Sequence, residues 1–240
     1  MANSATLSTR GLTPLKLTSE VIDFWYPGWN HSNFFDYTTS PTPEQLAAEP
    51  AFPQDWIHRW FMQGVTLDPL VTEKFGPAWD ELVHNEQLRE KFVADMEATI
   101  DGTLAAILFF DQFPRHLHRG KAAAFQSDPF ALKISKDALF KGYYDRTCRA
   151  KQFFLLMPHT HSEKMEDGQR ALEIIMNQRA MLPQDSPSYQ IASMSVKSYQ
   201  EHLDILKKFG RYPHRNGCLG RQSTEEEVSF LEGGGARFGQ

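Results

Sequence analysis

The chain has 240 residues, 41% of them apolar and 12% aromatic, enough to bury a core at this length, so disorder over most of the sequence is excluded. Lys and Arg number 25 against 30 Asp and Glu, a formal charge of −5, which argues against a protein that grips nucleic-acid phosphates. Two cysteines, Cys148 and Cys218, supply neither a disulfide framework nor a thiolate metal site, and no segment approaches the roughly 20 apolar residues that cross a bilayer.

Residues 1–18 are rich in Ser and Thr and lack the hydrophobic stretch of a secretory signal, so they read as a flexible leader to one helical domain over 19–232. The expectation is a soluble, cytoplasmic protein with neither a membrane nor a nucleic-acid partner. Trp25, Trp29, Trp56 and Trp60 read as core packing, with an aromatic wall or a homodimer contact as the alternatives. Thr42-Pro43-Glu44-Gln45 gives an N-cap, a proline at the first helical position and a Gln placed to close a capping box. Asp101-Gly102 sits beside a helical pattern, and no turn dipeptide separates alternating apolar runs.

Leu104 to Phe110 is apolar on every side and predicts a helix buried all round. It runs into Asp111-Gln112-Phe113-Pro114-Arg115-His116-Leu117-His118-Arg119-Gly120, where Pro114 predicts a break near Phe113. Asp111, Gln112, Arg115 and Arg119 are then the floor of a pocket, or else an ion-pair knot that closes the helix. Asp128-Pro129 repeats the cap-then-proline signal.

Met157 to Glu163 sets His159, His161 and Glu163 in a predicted loop before a helix, with Thr160 and Glu163 forming a capping box. The two imidazoles read as proton carriers, Glu163 as their orienting carboxylate; a metal site with His202 or His214 is a weaker alternative. Ser162 beside His161 lacks the G-x-S-x-G surroundings of a hydrolase nucleophile. Helical stripes follow over Met165 to Met181 and Tyr189 to Phe209, the second opened by Ser186-Pro187 and closed by Gly210. His202 lies on that apolar stripe, where packing is the usual reason for a histidine. Arg211, His214 and Arg215 lie past the helix end in a loop stiffened by Pro213, and helix capping does not explain them. Ser223 with Glu226 forms a last capping box, and 233–240 reads as a mobile tail in which docking of Phe238 is the alternative. The fold class is all-α, built of packed helix pairs.

Phe110-Asp111-Gln112-Phe113-Pro114-Arg115 with Arg119-Gly120, Phe154 to Pro158 with His161-Ser162-Glu163, and His202 to Asn216 (HLDILKKFGRYPHRN) resemble, in order and spacing, the bacterial and fungal domain-of-unknown-function family numbered 924. The likeness runs over about 19–238. It implies an all-helical, tetratricopeptide-like array of antiparallel helix pairs in one domain, and no settled chemistry. Relatives commonly carry an apolar residue where this chain has His159.

The function expected from these residues is a cofactor-independent acid–base enzyme acting on a small anionic substrate by hydrolysis, elimination or cyclisation. His161 with Glu163 would carry the proton and His214 or His202 would be a second carrier. Arg115, Arg119, Arg211 and Arg215 would hold the anion, with His159 beside them and Asp111 and Gln112 positioning groups. No dinucleotide turn or P-loop is visible. The rival is a non-catalytic helical-repeat module binding a peptide or anionic partner along an open groove.

Overall fold

The computed structural model describes residues 11–29, 34–62 and 64–238. Helix follows helix: α1 (Pro14–Trp25), α2 (Pro43–Ala47), α3 (Gln54–Ile57), α4 (Asp68–His84), α5 (Glu86–Met96), α6 (Ile100–Ile107), α7 (Phe113–Leu117), α8 (Asp128–Phe140), α9 (Arg149–His161), α10 (Met165–Ala180), α11 (Pro187–Phe209) and α12 (Glu225–Glu232). Among the described residues the extended pairing is confined to an isolated bridge between Asp36 and Thr147. The fold is therefore all-α, as the sequence predicts. None of the described helices is long and apolar enough to cross a membrane.

The apolar run does what its composition requires. Every residue from Leu104 to Phe110 is fully buried, and α6 is enclosed by α1, α5, α8 and α9. At one end of this rod the tryptophans form core: Trp25 and Trp60 stack with ring centroids 3.7 Å apart, and the Trp56 and Trp60 indole N–H groups both donate to the Trp25 carbonyl, at 2.8 and 2.9 Å. Those bonds satisfy a carbonyl left over at the end of α1, which has no intrahelical donor.

Several local expectations shift by a turn or less. Residues 11–18 are not a loose leader, because α1 begins at Pro14 and Leu12 and Leu17 are buried; residues 1–10 of that segment lie outside the described residues. Thr42 and Gln45 form the expected capping box, and Ser186 caps α11 through the Tyr189 N–H. Gly210 ends α11 in the left-handed region, φ 69, where its missing side chain avoids the usual steric penalty. The last capping box falls one residue later than expected, on Thr224 and Glu227. Thr160 caps nothing: α9 continues through Pro158 to His161, and Thr160 sits in its final turn.

Candidate functional site

The site grows out of the way the central rod ends. Pro114 lacks the N–H that would bond the Phe110 carbonyl one turn back, yet the helix widens instead of breaking. Residues Leu108–Gln112 form a π turn in which the Phe113 N–H reaches the Leu108 carbonyl, and α7 then resumes. The Ser127 hydroxyl donates to the Phe110 carbonyl that Pro114 leaves free. This single wide turn is the kind of helix defect often found at functional sites, and it points Asp111, 0% exposed, out of the core toward α9.

Asp111 meets His161 there. The His161 Nδ1–H donates to Asp111 Oδ1 at 2.8 Å, and Gln112 donates its amide to the other Asp111 oxygen. Arg115 donates to the Asp111 backbone carbonyl and makes a two-pronged pair with Asp128, 3.0 Å at each prong. Burial pushes the Asp111 carboxyl up, but His161 and Arg115 outweigh it and hold the group at about 2. Burial and the neighbouring Arg115 guanidinium lower His161 below the ordinary histidine range despite Asp111. At neutral pH the ring is therefore uncharged. With its Nδ1 proton held by Asp111, the Nε2 lone pair is left as the reactive atom.

His161 borders a cavity of about 540 Å³, within the range of small-molecule sites. Arg115, Arg119, His202, His214 and Arg215, drawn from α7 and the turn after it and from α11 and the loop after it, line the same space. The loops at Arg115 and Arg215 do converge. Arg215 donates from Nη1 to the His161 carbonyl at 3.0 Å, and its guanidinium lies 3.6 Å from Asp128, whose oxygens Arg115 already holds. Among the described residues, the buried Arg215 Nε makes no hydrogen bond. His202 donates its Nδ1–H to the Ser198 carbonyl at 2.7 Å. Burial lowers His202 to about 4, and burial with the nearby Arg215 lowers His214 to about 3.

The remaining expected residues lie elsewhere. Glu163 does not orient His161; it makes a two-pronged pair with Arg221 at 2.7 and 3.0 Å and accepts the Tyr212 N–H, because α9 ends between it and the imidazole. Arg211 does not reach the cavity: Nε and Nη2 hold Glu227 at 2.7 and 2.8 Å, fastening the loop to α12. His159, two residues from His161 in the same helical turn, points to a different face. It is buried against the Asp167 backbone without a well-formed hydrogen bond among the described residues, and burial lowers it to about 4. Arg119 lines the cavity, but Asp68 takes it at 2.8 and 2.9 Å. Among the described residues no group of three or more His, Cys, Asp or Glu side chains is placed to hold a metal ion, so His159, His161, His202 and His214 do not assemble as a ligand set.

Three further residues line the cavity without a sequence signal: His116, whose Nδ1–H donates to Asp68 at 2.8 Å, and Tyr199 and Phe125 on the apolar walls. His116 stood in the quoted proline segment, and its pairing with a residue 48 positions away left no local signal. Of the two readings of the C-terminal tail, a mobile end or a docked Phe238, the structure has the second: the Phe238 ring lines the cavity.

Fold and site together define an all-helical domain with a histidine- and arginine-lined cavity at the end of a buried central helix. The family described as "Bacterial protein of unknown function (DUF924)" matches residues 21–235, nearly the whole chain, and the chain belongs to that family. A solved structure of a protein of unknown function from Agrobacterium tumefaciens is similar in fold, with a TM-score of 0.62 and 24% identity, covering 91% of this chain and 98% of that one. At that identity the likeness concerns the fold alone. No curated protein sequence matches the chain.

Proposed function

We propose that the cavity is the active site of a cofactor-independent acid–base enzyme acting on a small anionic substrate, by hydrolysis, elimination or ring closure. The observation that carries this reading is the 2.8 Å bond from His161, which lines the cavity, to the fully buried Asp111 behind it. A carboxylate fixes the tautomer of the imidazole, holds it in one orientation and stabilises the imidazolium that forms when Nε2 takes a proton. Arg215 holds the substrate anion, since its donors are the least committed, and Arg115 supplies positive potential from behind its pair with Asp128. His214 is the second proton carrier. It stays uncharged to low pH, so it enters as an acceptor or as a donor of its neutral N–H.

The rival reading is a tetratricopeptide-like binding module, in which the same side chains would be spread along a groove. Their convergence on one space favours the enzyme. A screen of carboxylate-bearing esters, amides and lactones tests it with wild type and H161Q side by side. Turnover should fall by about a hundredfold or more in H161Q while cooperative unfolding persists. Equal turnover in the two proteins would overturn the assignment of His161.

A further inference from the structure

The Phe238 ring lies flat on the His202 imidazole, centroids 3.7 Å apart and planes 18° from parallel. Tyr212 and His214 meet it edge-on at 6.2 and 5.6 Å, so three rings frame the slot it fills. The ring is half-buried. Past α12 the chain turns back at Gly234, φ 84, and Gly235, where a Cβ would stand 2.5 Å from the Phe230 ring. Phe238 itself adopts φ 50, a left-handed conformation that costs energy for a bulky residue. Among the described residues the tail's hydrogen bonds are the Gly235 N–H to the Phe230 carbonyl at 2.9 Å and an exposed bond from Arg237 to the Leu231 carbonyl at 3.3 Å, and Ala236 and Phe238 pack, partly buried, against the cluster of Ile205, Leu206 and Tyr212.

Arg215 lies against the same Tyr212. Its guanidinium carbon is 4.7 Å from the Tyr212 ring centre and 4.5 Å from that of Phe125. A guanidinium packed between two aromatic faces, whose hydrogen bond among the described residues is the one from Nη1 to the His161 carbonyl, leaves Nη2 for an anion, while its Nε is fully enclosed. One cavity thus places a slot for a planar ring and an underused cation on the same Tyr212 side chain.

We propose that this cavity binds a ligand carrying a planar aromatic ring and a carboxylate, the ring replacing Phe238 on His202 and the carboxylate meeting Arg215. Phe238 is then an internal competitor that keeps the slot filled until such a ligand displaces it. The proposal names the substrate class for the acid–base reading and rests on that reading only for the claim that the bound ligand is turned over.

The experiment titrates 3-phenylpropionate, acetate and neutral 3-phenylpropan-1-ol into the full chain and its F238A variant, followed by calorimetry and by NMR of the His202 ring protons. An internal competitor that fills the slot about 80–90% of the time lowers apparent affinity about five- to tenfold, so F238A should bind 3-phenylpropionate tighter by that factor. Acetate affinity should be the same in both proteins, and the alcohol should bind at least about tenfold more weakly than the acid, having lost the charge-assisted bonds. Ligand-free F238A should show the His202 ring protons shifted downfield, released from the stacked phenyl ring. Unchanged or weaker binding of 3-phenylpropionate in F238A would overturn the proposal, as would equal affinity for acid and alcohol. F238L keeps apolar bulk without a flat ring and should fall between wild type and F238A. If F238A were misfolded, an F238L affinity equal to that of wild type would overturn the proposal by itself. H161Q should still bind 3-phenylpropionate, so failure of the acid–base reading would appear as unchanged turnover in H161Q and failure of this proposal as unchanged affinity in F238A.

Discussion

Replacing Asp111 by Asn perturbs the site at its deepest point without changing the volume of the side chain. Asp111 is 0% exposed and serves three partners: the His161 imidazole at 2.8 Å, the Gln112 amide, and the Arg115 guanidinium 3.6 Å from its Oδ1. Removing one member of a buried ion pair commonly costs about 3–5 kcal/mol, because the other charge is left behind. Here Arg115 keeps both prongs to Asp128 at 3.0 Å, so that penalty is largely avoided. What remains is a charged hydrogen bond to His161 exchanged for a neutral one and an amide facing the Gln112 amide, a loss of about 2–3 kcal/mol. Against a domain stability of about 5–15 kcal/mol, D111N should still fold. The loss is read from the urea midpoint at neutral pH, together with turnover on a substrate found for the wild type. Turnover should drop by a factor of roughly a hundred to ten thousand, the range seen when a general base loses its orienting carboxylate. A folded D111N with wild-type turnover would refute the role given to the pair, and a loss above about 5 kcal/mol would show that Asp128 does not compensate Arg115.

Other consequences concern stability. S127A strands the buried Phe110 carbonyl and should cost about 1–3 kcal/mol, and P114A in the same chain should recover part of it by supplying a helical N–H; strictly additive urea midpoints would contradict this account of the π turn. Burial lowers His159 from 6.5 to about 4, so as pH falls the unfolded state takes up the proton first. The stability associated with the neutral ring is whole above pH 6.5 and drains toward pH 4. H159L should therefore lose about 2 kcal/mol less than wild type between pH 7 and pH 5, and parallel urea midpoints in the two proteins would refute it. R211Q should lower the melting temperature by loosening α12 while leaving ligand affinity unchanged; a large loss of affinity would restore Arg211 to the site.

The helical fold was legible because its signals are local: proline caps at Pro43 and Pro187, the glycine stop at Gly210, and a run from Leu104 to Phe110 too apolar for any place but the centre. Proline chemistry marked the end of the central helix, but not the form it takes. A lone sequence shows that Pro114 removes a donor; it does not show that Ser127, in a separate segment, satisfies the stranded carbonyl and lets the helix widen. Partner choice among charged groups was the least legible. Glu163 stands two residues from His161 and was the natural candidate to orient it, yet the carboxylate that does so lies 50 positions away, while Glu163 faces Arg221, 58 positions away. Arg211 and Arg215 share one loop and look equivalent as a pattern. The loop turns between them, sending one to Glu227 and the other to the cavity.

The central claim is a neutral His161 whose Nδ1 proton belongs to Asp111 and whose Nε2 faces the cavity. Two-bond proton–nitrogen NMR on the histidine-labelled chain reads that tautomer directly. At pH 7 His161 should show a protonated Nδ1 and an unprotonated Nε2, and the ring should take its second proton below the ordinary histidine value of 6.5. A His161 that carries its proton on Nε2, or that is already an imidazolium at pH 7, would contradict the account.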